Sequence, residues 1–261
     1  MGRRAVTPQL FSLAGKKALV TGASRGIGQV IAVAFAQAGA DVALTARGAD
    51  GLAATAKEIR GLGREAVEIP ADLTSPEAAA AVVAETIERL GQLDIVVNNA
   101  GGSNFVVPFL ETRQSGWEKV LTLNLDATMW ICQAAGAHMT ARGTGSVINI
   151  ASVAGLAAAP FLVAYGAAKA GVVSLTKTLA SEWGRTGVRV NALCPGWTAT
   201  DLNRVLWDTP DGGQATIANV PMGRWGKPEE MAGPAIFLAS EASSFMTGQV
   251  LVVDGGQTST A

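Results

Sequence analysis

Residues 17–28 read Lys-Ala-Leu-Val-Thr-Gly-Ala-Ser-Arg-Gly-Ile-Gly, and an apolar run of helical period continues to Ala38. A short aliphatic run that passes through three glycines straight into a helix predicts a strand, a tight turn and a helix N-terminus. The glycines let the backbone approach a pyrophosphate, and the free N–H groups of the helix start receive its charge. Gly22, Ser24, Arg25, Gly26, Ile27 and Gly28 are therefore the candidate phosphate cradle.

Outward from this unit, similar short runs recur at 41–46, 65–69, 93–97, 147–151, 188–193 and 250–253, separated by alanine-rich helical segments. The runs are apolar throughout and do not alternate, so both faces should be covered. That pattern predicts a single α/β domain over residues 1–261, a Rossmann-like doubly wound sheet of seven parallel strands. Helix punctuation agrees. Gly39 closes the first helix, Thr74-Ser75-Pro76-Glu77 opens another, and Lys227-Pro228-Glu229-Glu230 opens the last. Pro234 should kink or shorten that last helix.

A chain that is 49% hydrophobic is not disordered in bulk, and a formal net charge of -1 generates no field to attract nucleic acid or an anionic membrane. A small molecule is the expected partner. Cys132 and Cys194 form no CxxC and His138 is the only histidine, which excludes a disulfide framework and a Cys/His metal site. Residues 1–16, with Arg3, Arg4, Pro8 and Gln9, are too short and polar for a secretory core, so a cytoplasmic location is expected. The charge-free stretch 143–168 is interrupted by Ser146, Asn149, Ser152 and Pro160. It reads as strand, loop and helix start rather than a membrane span.

A dinucleotide-binding unit that takes NAD places an acid at the end of its second strand. Ala46 and then Arg47 stand there instead; Asp41 is at the wrong end, and Asp50 lies too far into the following loop. Arg25 and Arg47 facing a 2′-phosphate would favour NADP(H), the alternative being two solvated surface arginines. Asp72-Leu73 should meet the adenine edge, and Asn98-Asn99-Ala100-Gly101 reads as a turn beside the cofactor. Further on, Tyr165 and Lys169 stand four apart in Tyr-Gly-Ala-Ala-Lys, on one helix face. Tyr165 is the only tyrosine, and it follows Ser152, which lies just past the fifth strand.

With TGASRGIG, Asp72, NNAG, Asn124, Ser152, YGAAK, Pro195-Gly196 and Asp254-Gly255-Gly256 in this order, nearly the whole chain resembles a single-domain short-chain dehydrogenase/reductase. The resemblance implies a catalytic tetrad of Asn124, Ser152, Tyr165 and Lys169. It gives Asn124 the holding of a proton-relay water; the residues alone equally allow a buried polar group that caps or kinks a helix. Tyr165 would act as general acid/base, its phenol brought down from about pKa 10 by Lys169 and the nicotinamide charge. Lys169 would also bind ribose hydroxyls, and Ser152 would hold the substrate oxygen. Backbone at Pro195 and Gly196, with Thr198 and Thr200, would touch the nicotinamide, although the family often has an aliphatic residue at position 198.

By the same resemblance, residues 200–225 form a variable lid and 102–109 and 153–163 form side walls. The lid is rich in Leu202, Val205, Leu206, Trp207, Ile217, Val220, Met222 and Trp225, with Asn203, Arg204 and Asn219 among them. The favoured activity is an NADPH-dependent carbonyl reductase or alcohol dehydrogenase acting on a ketone or secondary alcohol. A 3-oxoacyl-carrier-protein reductase is an alternative weakened by Trp130 and Ser181, which stand where such enzymes tend to carry arginines. Residues 200–203 and 221–226 resemble keto-sugar-acid reductases of the gluconate 5-dehydrogenase type. A non-catalytic NADPH sensor needs none of the four tetrad side chains. Enoyl reductases of the superfamily space Tyr and Lys by six residues and fit poorly, as do the longer epimerases.

The runs 116–141 and 161–183 carry apolar residues on more of their circumference than one sheet can cover. Val120, Leu123, Met129, Trp130, Ala137, Val172, Leu175 and Leu179 cannot all face one side. The excess predicts packing against a second copy, and the resemblance makes the assembly a homotetramer with a second interface at 250–261.

Overall fold

The computed structural model describes residues 8–103 and 106–259. Strands β1 (Lys17–Thr21), β2 (Asp41–Ala46), β3 (Ala66–Pro70), β4 (Ile95–Asn98), β5 (Gly145–Ile150), β6 (Val188–Pro195) and β7 (Val250–Val253) form one sheet among the described residues, in the order β3-β2-β1-β4-β5-β6-β7. Every neighbouring pair is parallel. The expected seven-stranded doubly wound sheet is present. Its chain order reverses between β1 and β4, and that switch point is where such sheets open a ligand crevice.

The period of two along each strand divides the core. Val20, Val42, Leu44 and Ile148 face a cluster with Ile31 and Phe35 of α1 (Gly26–Gln37), Leu52 and Ile59 of α2 (Ala49–Gly61), and Leu238 of α8 (Ala232–Ala239). Leu19, Ala43, Val96 and Val147 point the other way, onto Val82 and Val83 of α3 (Pro76–Leu90) and Ile131 and Met139 of α5 (Ala127–Arg142). Each fully buried Leu, Ile or Phe contributes about 1.5–3 kcal/mol, which is why nearly all-apolar strands fit only this two-sided arrangement.

Capping follows the sequence. Ser75 accepts the Ala78 N–H at 3.2 Å ahead of Pro76, and Gly91 closes α3 in the left-handed region. Gly39, with φ +104°, follows α1. Pro234 falls in the first turn of α8, where a missing N–H is tolerated, and α8 is eight residues long behind a 3-10 turn at Pro228–Met231. The proline thus shortens the helix without kinking it.

Three expectations change. Asp50 lies in the first turn of α2, not in a loop. Asn98 ends β4, buried, and donates to Asn149 Oδ1 at 2.9 Å, so the turn begins at Asn99. Val120 and Val172 are buried within the chain and belong to no excess apolar face: α4 (Gln114–Leu121), which a π-helical turn at Thr122–Asp126 joins to α5, packs on α6 (Val163–Trp183). The stretch 143–168 divides into β5, a short turn and the start of α6, and no described helix is long and apolar enough to cross a membrane. Residues 1–7, Asn104, Phe105, Thr260 and Ala261 lie outside the described residues, and with them Arg3, Arg4 and parts of the expected wall and second interface.

Candidate active site

The loop after β1 is sewn to the loop after β4. Thr21 Oγ1 accepts the N–H groups of Asn99 and Ala100, both at 2.9 Å, and Asn99 Nδ2 donates to the carbonyls of Thr21 and Gly22 at 3.0 and 3.2 Å. Gly22 is required at this seam. Its φ is +66°, and a Cβ there would lie 2.8 Å from Asn99 Nδ2.

Beyond the seam, α1 begins at Gly26 with no side-chain cap bond and no acid in its first turn, so its leading N–H groups are left for an anion. Arg25 at its N-cap and Arg47 past β2 are exposed, and among the described residues neither joins an ion pair. Asp41 is committed elsewhere, to Lys17 at 2.6 Å and Arg64 at 2.7 Å, at the opposite end of the strand. Asp72 is exposed past β3 and accepts the Thr74 N–H at 3.2 Å, while Leu73 is buried. Ser24 and Ile27 are half-buried in the cradle. A donor-rich, acid-free helix start beside two unpaired guanidiniums fits a phosphorylated dinucleotide.

Across the switch point, four side chains converge. Asn124 sits fully buried in the π-helical turn, a feature common at functional sites. It accepts the Gly102 N–H at 2.8 Å and donates to the carbonyls of Gly102 and Val120, both at 2.9 Å. This is both a buried polar bond to its own helix and a tie to the loop after β4. Gly101 lies between the groups: a Cβ there would stand 2.6 Å from Asn124 Oδ1 and 3.3 Å from Lys169 Nζ. Ser152, two residues past β5, accepts the Ala154 N–H at 3.1 Å and lies beside the Tyr165 phenol. On α6, Lys169 is buried behind Tyr165, its Nζ 5.6 Å from the ring centroid and 2.8 Å from the Ile150 carbonyl that it bonds.

Electrostatics follow burial. Desolvation pulls Lys169 down to about 8 against its ordinary 10.5, and the nearby Cys194 works in the other direction. Burial pushes the Tyr165 phenol up, and the hydrogen bond with Ser152 opposes that rise. The expected lowering of the phenol is thus not met by the protein alone, because Lys169 addresses the ring and the Ile150 carbonyl.

The segment after β6 closes the crevice from the other side. The Gly196 N–H bonds Val253 O at 3.0 Å, and Asp254 packs where a side chain at 196 would be. Thr198 is buried, donating to Gly196 O at 3.2 Å. Thr200 comes up against the phosphate loop, its Cγ2 3.6 Å from the Cβ position of Gly26, with its N–H and Oγ1 bonded to Asn203 at 2.9 and 3.0 Å. Past it, Leu202 covers Gly102. Of the lid residues, Ile217 and Val220 are buried packing, whereas Leu202, Val205, Leu206 and Met222 are exposed. Of the two expected residues, Thr200 comes up to the glycine loop while Thr198 is buried in its own segment, and the polar groups of both already have partners within the chain.

Two contributors escaped sequence reading. Thr21 holds the seam, a role signalled only by a hydroxyl at the strand end facing an Asn-Asn pair. Cys194, read from the sequence only as an unpaired thiol, lies beside the Ser152 backbone and Lys169, burial pushing its thiol up to about 11.

The family model described as "Enoyl-(Acyl carrier protein) reductase" matches residues 22–258. Among curated relatives, gluconate 5-dehydrogenase of Gluconobacter oxydans is 41% identical over 251 residues, 96% of this chain and 98% of that protein. D-threitol dehydrogenase of Mycolicibacterium smegmatis is 44% identical over 251 residues, 95% of each. The crystal structure of a gluconate 5-dehydrogenase from Burkholderia cenocepacia in complex with NADP and tartrate superposes with a TM-score of 0.92 at 39% identity, over 97% of this chain and 99% of that one. With a phosphate cradle and a Ser-Tyr-Lys cluster facing each other across the switch point, and relatives of this length and identity, the chain belongs to the short-chain dehydrogenase/reductase family of oxidoreductases.

Proposed function

We propose that this protein uses NADP(H) to interconvert a ketone and a secondary alcohol, with Tyr165 as general acid/base. The observation that carries the reading is the placement of Ser152 beside the Tyr165 phenol at the end of β5, with buried Lys169 behind the same ring. The cofactor, once bound, supplies or accepts the hydride. Everything else falls to the chain. Ser152 holds the substrate oxygen where negative charge develops, Tyr165 gives that oxygen its proton, and Lys169 orients the phenol and the ribose. Asn124, fixed to Gly102, holds the proton path behind Lys169.

Arg25 and Arg47 take the 2′-phosphate, with Gly22, Ser24, Gly26, Ile27 and Gly28 along the pyrophosphate and Asp72 and Leu73 at the adenine. Asn99, Ala100 and Gly101 line one side of the nicotinamide half and Pro195, Gly196, Thr198 and Thr200 the other. NADP in the Burkholderia relative's complex supports the cofactor choice. The enoyl reductase description of the family model does not move the reading to a C=C bond, since Tyr165 and Lys169 stand four apart. The domain works as a homotetramer, joined through α5 and α6, where Met129 is exposed and Leu175 half-exposed.

The test is cofactor turnover with a ketone panel, comparing the wild type with Tyr165→Phe. Oxidation of NADPH that disappears in the variant, with NADPH binding intact, supports the reading; full turnover in the variant overturns it.

A further inference from the structure

The lid and walls identify the chemistry of the substrate's non-reacting part, an inference that rests on the reaction proposed above. Recognition of a sugar acid needs a cation free to meet its carboxylate. Across residues 102–109, 153–163 and 200–225 the chain has two cations, Arg204 and Arg224, against three aspartates, Asp201, Asp208 and Asp211. Both arginines are engaged. Arg204 bonds Asp201 at 2.9 Å and stacks on Trp207, its Cζ 5.6 Å from the ring centroid. Arg224 grips Glu230 with two bonds of 2.8 and 2.7 Å and donates to Trp225 O at 3.1 Å. That pair, helped by the Lys227 N–H, holds Glu230 down at about 2, so the grip persists across the physiological range.

The polar lid residue nearest the crevice is consumed as well. Asn203 accepts from Thr200 and from Trp207 Nε1 and donates to Thr198 O at 2.9 Å. The large apolar side chains that the lid exposes are Leu202 over Gly102, then Val205, Leu206 and Met222, with Gln214 and Asn219 exposed further along it. Beside the first turn of α6 lies a cavity of about 420 Å³ bounded by Val107, Phe109, Ala157, Pro160, Phe161 and Gly166, the residue that follows Tyr165. Every side chain lining that cavity is apolar. Its two walls are fixed to each other by the Val107 N–H on Phe161 O at 3.0 Å, and Phe161 adopts φ +67°, the one positive φ outside glycine among the described residues. A phenylalanine held in a strained turn and 58% exposed marks a built surface.

We infer that the substrate is an uncharged ketone or secondary alcohol whose larger substituent is apolar and packs against Leu202 and the Phe161 wall. A keto-sugar acid would bring an anion to a rim of net negative charge and remove water from its hydroxyls against hydrocarbon, which is unfavourable on both counts.

The experiment has two independent arms. In the first, tryptophan fluorescence of the NADP-loaded wild type is titrated with a neutral aryl alkyl ketone and with 5-keto-gluconate. Binding of the ketone at least tenfold tighter is expected; equal or tighter binding of the keto acid overturns the inference whether or not either compound turns over. In the second, kcat/KM is measured for both compounds in three proteins. Arg204→Ala should leave the neutral ketone within about threefold of wild type, and Leu202→Arg should lose at least tenfold on it while gaining on the keto acid. A tenfold loss on the keto acid alone in Arg204→Ala shows that Arg204 reads a carboxylate, and overturns the proposal. Absence of turnover with every ketone defeats the proposed reaction, while the fluorescence arm still decides the substrate chemistry.

Discussion

Lys169 presents its ammonium to the ring of Tyr165, 5.6 Å from the centroid, and gives its hydrogen bond to the Ile150 carbonyl at 2.8 Å. The pair is therefore built but not yet poised. Burial raises the phenol and lowers the amine, so in the cofactor-free protein each group is pushed toward its neutral form. A positive nicotinamide is the charge that would draw the phenol toward working pH.

Replacement of Tyr165 by Phe removes one hydroxyl and leaves the ring against Lys169. Turnover should fall by about 10²–10⁴, the usual worth of a positioned proton donor, with NADPH affinity changed less than about threefold. Stopped-flow absorbance and equilibrium fluorescence separate the two.

Cofactor preference tests the two arginines. NADP(H) should be favoured over NAD(H) by at least about tenfold in kcat/KM, equivalent to ~1.4 kcal/mol, and Arg47→Asp should reverse the order. Equal efficiency with both cofactors in the wild type sinks the assignment of Arg25 and Arg47.

Lys169 makes the apoprotein's stability depend on alkaline pH. Its native value of about 8 lies below the ordinary 10.5, so between those values the unfolded chain holds more protons, and stability rises with pH; the benefit is lost as pH falls through 8. Chemical denaturation at pH 7.5 and pH 9.5 should show the wild type gaining about 2 kcal/mol relative to Lys169→Met, from ~1.4 kcal/mol per unit. A difference that stays constant with pH would refute this.

Asp41 carries the opposite dependence. Burial raises its carboxyl, but bonds from Lys17 and the Glu65 N–H, with the charge of Arg64, outweigh it and hold the group below 3.8. Its contribution is present above that value and lost as pH falls through the native one. Asp41→Asn should cost about 2 kcal/mol at pH 7 and blunt acid unfolding, read as denaturant midpoints from pH 7 down to pH 3.

Assembly is read by light scattering, where a homotetramer exceeds the 26.6 kDa chain fourfold. Leu175→Glu should release smaller species that stay folded. Val172→Glu, which puts the charge inside the chain, should unfold it.

The architecture was legible because its signals are local. Glycine after an aliphatic run, a Ser-Pro helix start and unalternating strands each need only a few neighbouring residues. The nearness of Ser152, Tyr165 and Lys169 was legible through spacing, since Tyr165 and Lys169 share a helix face and Ser152 follows a strand. Less visible was anything set by distant partners. The Lys169 bond to Ile150 O, the commitment of Arg204 and Arg224, and the Cys194 contact with Ser152 all depend on which chain segment arrives opposite. The apolar count over 116–141 and 161–183 also overshot, because helical period alone does not show that α4 packs on α6 within the chain, with Val120 and Val172 buried.

The dependence of Gly196 on Val253 and Asp254 has a consequence for biosynthesis. The seam and the glycine loop draw only on β1 to β4 and the chain up to Gly101, all of which is made before any of the lid at 200–225. The segment bearing Thr198 and Thr200 finds its seat only when the last strand docks.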